Sequence, residues 1–221
     1  MIVVTSERAG EAFRRVFREV VVAPLLELRP EPIDKRAVAR AVEESDLVIF
    51  VSGRSAYRLR EEGVWLDLIN KRVATAEGGK GAVMIQNVFG VKPQLVYDSA
   101  EELAAAVDSC TAATVFHHGE RAVALVEKLP CRLYEFFTYR AVPRRDVLDS
   151  LPPAGIYVFF SGLAAATVAQ VRPDVLKNAV VVAAGSAVAK ALERYNIKAY
   201  VSPGGRIIDV IRFIQNNFVS S

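Results

Sequence analysis

Leu47-Val48-Ile49-Phe50-Val51-Ser52-Gly53 returns about 110 residues later as Ile156-Tyr157-Val158-Phe159-Phe160-Ser161-Gly162. Each stretch is an apolar run closed by a Ser-Gly pair and followed by an Ala-containing segment of helical spacing. A run with no polar alternation reads as a strand buried on both faces, which is what a parallel sheet covered by helices requires. The match has company. Val3-Val4-Thr5-Ser6-Glu7-Arg8-Ala9 has its counterpart in Phe116-His117-His118-Gly119-Glu120-Arg121-Ala122. Arg72–Ala76 with its glycines has one in Val180–Ala184 with Gly185-Ser186. A single strand–turn–helix match means little, but several in the same order at a similar offset indicate a duplication.

Outward from these segments, strands are predicted at Ile2–Thr5, Val20–Val22, Leu47–Val51, Arg72–Ala76, Leu95–Tyr97, Thr114–His117, Arg132–Phe137, Ile156–Phe160, Val180–Ala184 and Ala199–Val201. Between them, i, i+3, i+4 apolar spacing predicts helices, among them Ala12–Phe17, Ala100–Val107, Ala122–Leu129, Ala187–Tyr195 and Ile207–Phe218. Five strands per repeat suit two small doubly wound, flavodoxin-like parallel sheets of an α/β protein better than one large sheet. Two proline-flanked stretches, Leu28–Pro32 and Tyr139–Pro143, are expected to be extended interdomain connectors forming a two-connector hinge beside a cleft. Two topologies remain open: sequential halves, or a first βαβ unit joined to the C-terminal half around an inserted middle domain.

Composition narrows the function classes. Of 221 residues, 52% are hydrophobic and 24% charged, which supports packed cores and excludes a disordered chain. A formal charge of +3 without any Lys/Arg block permits an anionic ligand and gives no reason to expect nucleic acid. The two cysteines, Cys110 and Cys131, form no CxxC, so neither a disulfide framework nor a zinc site is expected, and the usage suits a reducing cytosol. No apolar run approaches the roughly 18 residues of a membrane helix. The chain goes straight into the strand at Met1–Thr5 with no basic leader, so the expected location is cytoplasmic, with no membrane partner.

In parallel α/β sheets, ligands gather at the carboxyl ends of strands, where helix N-termini present free N–H groups. Small residues stand at those positions here: Ser6, Ser52-Gly53, Gly78-Gly79, Gly119, Ser161-Gly162 and Gly185-Ser186. Singly, each reads most simply as a helix cap or turn residue. Their recurrence in both halves points to anion binding. Glu77-Gly78-Gly79-Lys80-Gly81 lacks the spacing of a phosphate loop, and no GxGxxG follows a strand, so no nucleotide cofactor is expected. His117 and His118 leave a strand on opposite faces and are the only histidines, so no metal site is expected. Arg58-Leu59-Arg60-Glu61-Glu62 reads as a solvated helix face. Two residues invite a role. Arg54 begins a helix, where a cation opposes the macrodipole unless it faces an anion or pairs with Glu61 or Glu62. Tyr139 sits on a connector, where its hydroxyl either reaches the interdomain gap or lies in water.

The ordered motifs resemble those of the uroporphyrinogen-III synthase family over essentially the whole chain. They are Val3-Val4-Thr5-Ser6, Val22-Ala23-Pro24, Ile49–Ala56, Val73–Ala76 before Gly78, Phe137-Thr138-Tyr139-Arg140-Ala141-Val142-Pro143, Phe159–Ala164 and Ala183–Leu192. Three positions depart from the family pattern. Ser6 stands where an arginine is usual, and Lys80 and Val188 fall near the threonines of the two Gly-containing turns.

The resemblance implies an outer domain of residues 1–31 plus 142–221 and an inserted domain of 32–141. It implies a cofactor-independent lyase that dehydrates and cyclises linear hydroxymethylbilane, a tetrapyrrole with eight carboxylates, to uroporphyrinogen III with the fourth ring inverted. Tyr139 is then the general acid. Ser6, Ser52, Gly53, Arg54, Ser55, Gly78, Gly79, Gly119, Ser161, Gly162, Gly185, Ser186 and Ala187 are the substrate-binding set. A monomer in transient contact with porphobilinogen deaminase is the expected assembly. The rival readings are a non-catalytic two-domain binder of an anionic small molecule and, more weakly, a flavodoxin-like regulatory or electron-transfer module.

Overall fold

The computed structural model describes residues 1–219. The first half of the chain runs β1 (Ile2–Val4), α1 (Glu7–Arg14), β2 (Val20–Val22), β3 (Leu26–Pro30), α2 (Lys35–Glu44), β4 (Leu47–Phe50), α3 (Arg54–Glu61), β5 (Arg72–Thr75), α4 (Gly78–Phe89), β6 (Leu95–Val96) and α5 (Ala100–Ala106). The second half follows with β7 (Ala112–Gly119), α6 (Val123–Lys128), β8 (Arg132–Pro143), α7 (Arg145–Asp149), β9 (Ile156–Phe159), α8 (Gly162–Val171), α9 (Pro173–Leu176), β10 (Val180–Ala183), α10 (Ser186–Glu193), β11 (Tyr200–Val201) and α11 (Ile207–Phe218).

These elements divide into two compact units, Met1–Glu27 with the chain from Val142 onward, and Leu28–Ala141. The first unit holds a five-stranded sheet ordered β2-β1-β9-β10-β11, and the second a six-stranded sheet ordered β3-β8-β7-β4-β5-β6. The pairings from β2 to β11 and from β8 to β6 are parallel throughout. The repeated segments account for this layout. β1, β9 and β10 are neighbours in one sheet, and their sequence counterparts β7, β4 and β5 are neighbours in the same order in the other.

Each sheet is buried on both faces, as its unbroken apolar strands require. In the first unit, Val3, Tyr157, Phe159 and Val181 pack with α8 and α10 residues such as Val168 and Leu192, while Ile2, Val4, Val158 and Val182 pack with Phe13 and Ile211 of α1 and α11. In the second, Val48, Phe50 and Phe116 meet α2, α3 and α4 through Val38, Leu59 and Ile85. Leu47, Ile49 and Val115 meet Leu103 and Leu125 of α5 and α6 on the other face.

Three expectations need correction. The first helix begins at Glu7 with Ser6 as its N-cap, rather than at Ala12. Its early polar turn hid the start from an apolar-spacing test. The two proline-flanked stretches are extended but are also strands: β3 lies where no strand is predicted, and β8 runs through Tyr139 to Pro143, the two lying side by side at one edge of the sheet. Proline is compatible with an edge position or a strand end. Finally, Cys110 and Cys131 form a disulfide, with Cα atoms 5.3 Å apart. Parallel pairing of Ala112 with Arg132 makes neighbours of the residues just before the two strands, which spacing in the sequence does not reveal. The inference from cysteine usage to a reducing compartment therefore loses its basis.

Candidate active site

The order β7-β4-β5 brings Gly119, Ser52-Gly53 and Gly78 together along the carboxyl rim of the second unit. The N-terminus of α3 already holds a carboxylate there. Ser52 Oγ and the Gly53 N–H both donate to Glu77 Oε2 at 2.8 Å, and the Arg54 N–H donates to Ser52 Oγ at 3.3 Å. The free N–H groups of a helix end suit such a charge, so a ligand carboxylate at this point would have to displace Glu77. Gly53 has a second reason to be glycine. A Cβ there would lie 2.8 Å from the Gly81 carbonyl oxygen and 2.9 Å from its Cα, so its absence lets α3 and α4 close together.

The other residues of this rim have particular surroundings. Gly78 has φ +63°, in the left-handed region, and donates its N–H to the Tyr97 carbonyl at 2.8 Å. Gly119 has φ +93°. Gly79 and Lys80 are exposed in the first turn of α4, whereas Ser55 is fully buried with its hydroxyl against that of Thr138 at 3.0 Å.

The matching rim of the first unit runs β10-β9-β1 and gathers Gly185-Ser186, Ser161-Gly162 and Ser6. Ser161 Oγ caps α8 by accepting from the Ala164 N–H at 3.1 Å. Gly162 lies against Ala191, where a Cβ would be in ordinary contact at 3.6 Å. Ser6 is the N-cap of α1 but makes no side-chain cap bond. The most open of the three ends is that of α10: nothing lies within 4 Å of a Cβ built on Gly185, and Ser186 and Ala187 are exposed. Val188, at a position where the family pattern has threonine, is buried in the core.

Tyr139 lines a recess of about 310 Å³ in the second unit, with His118 of β7 and Arg54, Arg58 and Glu61 of α3. A register shift between His117 and His118 lies beside it. His117 pairs with Phe137 but His118 pairs with Tyr139, leaving Thr138 as the extra residue of a bulge. Thr138 is buried and joins three partners. Its hydroxyl donates to the His117 carbonyl at 3.0 Å and meets Ser55 Oγ at 3.0 Å and His118 Nδ1 at 3.4 Å. The His118 ring packs against Tyr139 with centroids 4.9 Å apart, and the Arg58 guanidinium lies over the Tyr139 ring at 5.7 Å. Burial, followed by the Arg54 charge, pushes the His118 pKa below the usual histidine value, against the pull of Glu77. Two buried polar atoms of the recess have no partner: Arg58 Nε and His118 Nε2.

Of the residues of the recess, the sequence points to Tyr139 and Arg54. It does not point to His118, Arg58 or Thr138, and the reading of Arg58 as part of a solvated face is corrected: it is half-buried, ion-paired to Glu62 at 2.5 Å, and turned to Tyr139. The available signal was its i, i+4 spacing from Arg54, which puts both guanidiniums on one side of α3. His117 is a structural residue. It is buried, its Nδ1 accepts from the Ala122 N–H at 3.1 Å, and its Nε2 bonds to Glu135 at 3.0 Å. Among the described residues, no group of three or more His, Cys, Asp or Glu side chains is placed to hold a metal ion. Nor is any helix among them long and apolar enough to cross a membrane.

The sequence profile of the family described as Uroporphyrinogen-III synthase HemD matches residues 3–208. The chain belongs to the uroporphyrinogen-III synthase family. The fold is also that of solved structures bearing the name. A mutant uroporphyrinogen III synthase from the extremely thermophilic bacterium Thermus thermophilus superposes with a TM-score of 0.66 at 17% identity, over 97% of both chains. A second Thermus thermophilus uroporphyrinogen III synthase structure gives 0.54 at 17% identity, over 97% of this chain and 98% of that one. Uroporphyrinogen-III synthetase from Helicobacter pylori 26695 gives 0.60 at 14% identity, again over 97% and 98%. No curated protein sequence matches the chain. Members of this family are enzymes of tetrapyrrole biosynthesis, and their substrate is a small tetrapyrrole.

Proposed function

We propose that this chain is a uroporphyrinogen-III synthase, converting hydroxymethylbilane to uroporphyrinogen III with Tyr139 as general acid. The observation that carries the reading is the family profile spanning residues 3–208, which includes the Tyr139 motif. The recess gives it chemical content. Tyr139 lies beside two arginines at the carboxyl rim of a parallel sheet, where an anionic substrate is expected to dock. Its phenol protonates the hydroxymethyl oxygen, the C–O bond breaks with the electron pair leaving on oxygen, and water departs. The substituted carbon of the fourth pyrrole attacks the resulting azafulvenium cation. The spiro intermediate fragments and recloses with that ring inverted. Loss of one ring proton restores the pyrrole and re-forms the phenol.

The sequence of steps is an intramolecular dehydration. It needs no oxidant, reductant or group carrier, so the reading is a cofactor-independent lyase. The protein's main task is to hold the two ends of the chain together. Helix ends of the first unit, α10 with Gly185, Ser186 and Ala187 above all, supply N–H groups for the acetate and propionate arms. We assign Ser6, Ser161 and Gly162 to the same rim, and Gly119, Gly78 and Gly79 to the rim of the second unit beside Tyr139. Arg54 supplies charge there.

The test couples the protein to porphobilinogen deaminase, starting from porphobilinogen, and separates isomers I and III by chromatography after oxidation. Isomer III is expected; product that remains isomer I refutes the reading. Tyr139→Phe is expected to lower kcat roughly 10²-fold, the remaining rate coming from spontaneous loss of hydroxide in a site that still holds the chain. Full activity in that variant removes Tyr139 from the mechanism.

A further inference from the structure

The hydrogen-bond chain behind Tyr139 fixes which nitrogen of His118 carries the proton. Thr138 Oγ1 has one hydrogen, and the His117 carbonyl takes it. Toward Ser55 Oγ and His118 Nδ1 it can therefore only accept, so Nδ1 is the protonated nitrogen and Nε2 presents a bare lone pair. That lone pair is buried and unpartnered, and so is the Nε–H of Arg58. One is an acceptor and the other a donor. Both belong to side chains that touch the Tyr139 ring and line the same recess. Buried polar groups are satisfied in native structures, by protein, water or ligand. A hydroxyl group offers both complements, a lone pair for the Arg58 hydrogen and a hydrogen for His118 Nε2.

We propose that Arg58 and His118 hold the departing hydroxyl of the substrate against Tyr139, an inference that rests on the synthase reading above. In the bound state the hydroxymethyl oxygen accepts from Arg58 Nε–H and donates to His118 Nε2. Its remaining lone pair receives the Tyr139 proton as the C–O bond breaks. The product is a water molecule, still bonded to both residues, and a phenolate beside the Arg58 cation. The phenolate is reprotonated by the ring proton lost when the macrocycle closes. Arg58 and His118 are positioning residues for the leaving group, and the pairing selects an oxygen that is at once donor and acceptor.

The arrangement works with His118 neutral. The charged and titratable groups around it are Arg54, Arg58 and Glu61 of α3, Glu77 before α4, Tyr139 of β8 and Glu120, which bridges it through the backbone. Burial and Arg54 outweigh Glu77 and favour the neutral ring. Protonation at low pH fills Nε2 and removes the acceptor, so the rate falls on the acid side of the profile, with a midpoint below the usual histidine value because burial and Arg54 disfavour the imidazolium.

Steady-state kinetics of isomer III formation, from pH 5 to 8, distinguish this from a packing role. His118→Phe keeps the stacked ring without the lone pair, and Arg58→Lys keeps the charge without the Nε–H. Each is expected to lower kcat by about 10-fold or more with KM changed less than about threefold. His118→Phe also loses the acid limb, and His118→Gln, whose Oε1 reaches the position of Nε2, recovers part of the rate. A thermal melt checks that each variant folds, and Arg58→Lys carries the test alone if His118→Phe does not. Wild-type kcat in either variant, an acid limb retained in His118→Phe, or losses confined to KM would overturn the proposal. Failure of the wild-type protein to form isomer III would instead overturn the reading on which it rests.

Discussion

Reducing the Cys110–Cys131 disulfide is expected to weaken the second unit by about 3 kcal/mol. The bond closes a loop of sequence separation 21 across the amino ends of β7 and β8. In the chain-entropy account, opening a loop of that size returns about 11 cal/mol/K to the unfolded ensemble, hence about 3 kcal/mol at 25 °C. The unit spans Leu28–Ala141, for which a urea m-value of about 1–2 kcal/mol/M is ordinary, so the midpoint should fall by roughly 1.5–3 M. Trp65 is the sole tryptophan and belongs to this unit, so its fluorescence follows the transition directly. The comparison is between oxidised protein, thiol-reduced protein and the Cys110→Ser, Cys131→Ser double variant, with free thiols counted to confirm each state. Reduced protein and double variant should share one lower midpoint. Coincident midpoints for oxidised and reduced protein would refute the chain-entropy reasoning, since the unfolded chain would then gain no freedom on reduction.

Two further predictions concern packing and pH. Gly53→Ala should destabilise the protein by about 1–3 kcal/mol, because its Cβ would meet the backbone of Gly81 at 2.8–2.9 Å and force α3 from α4; a urea midpoint unchanged within error contradicts this. Acidification should destabilise the protein through His117, whose pKa is lowered by burial against the raising effect of Glu135. Its unfolded value of about 6.5 lies above the folded one, so the stabilisation is complete above pH 6.5 and is lost as pH falls through the folded pKa. Urea midpoints between pH 8 and 5 should show this decline, and His117→Gln should flatten it. An unchanged slope in that variant would assign the decline to other groups.

The duplicated apolar strands made the sheet legible because a strand buried on both faces has few sequence alternatives. Register was less legible than strand identity. Nothing in Arg132–Pro143 marks Thr138 as the extra residue of a bulge, since its partner lies across a helix-length gap at His117-His118. The disulfide escaped for the same reason. The rim residues were identified as a class, but their individual roles depend on tertiary neighbours. Gly53 is close-packed against Gly81, Ser55 is tied to Thr138, and Ser52 is bonded to Glu77, 25 residues away. A turn composition gives the place of a helix end. It does not say whether that end is vacant.

The duplication also shows how the rims of the two units differ. The counterpart of the β7–β8 pair in the other sheet is β1–β2, whose register runs evenly from Ile2–Val20 to Val4–Val22. Even pairing keeps side chains alternating between two faces covered by helices, and it leaves no residue equivalent to Thr138. In β7–β8 Tyr139 pairs with His118 just past the bulge, and the i, i+4 arginines of α3 line the same recess. The first unit thus retains what both copies share, helix ends at a sheet rim suited to carboxylates. The second adds a bulge, and Tyr139, His118, Arg54 and Arg58 line one recess beside it. Deleting Thr138 restores even pairing with Tyr139 still opposite His118, and removes the hydroxyl that bonds to His117, Ser55 and His118.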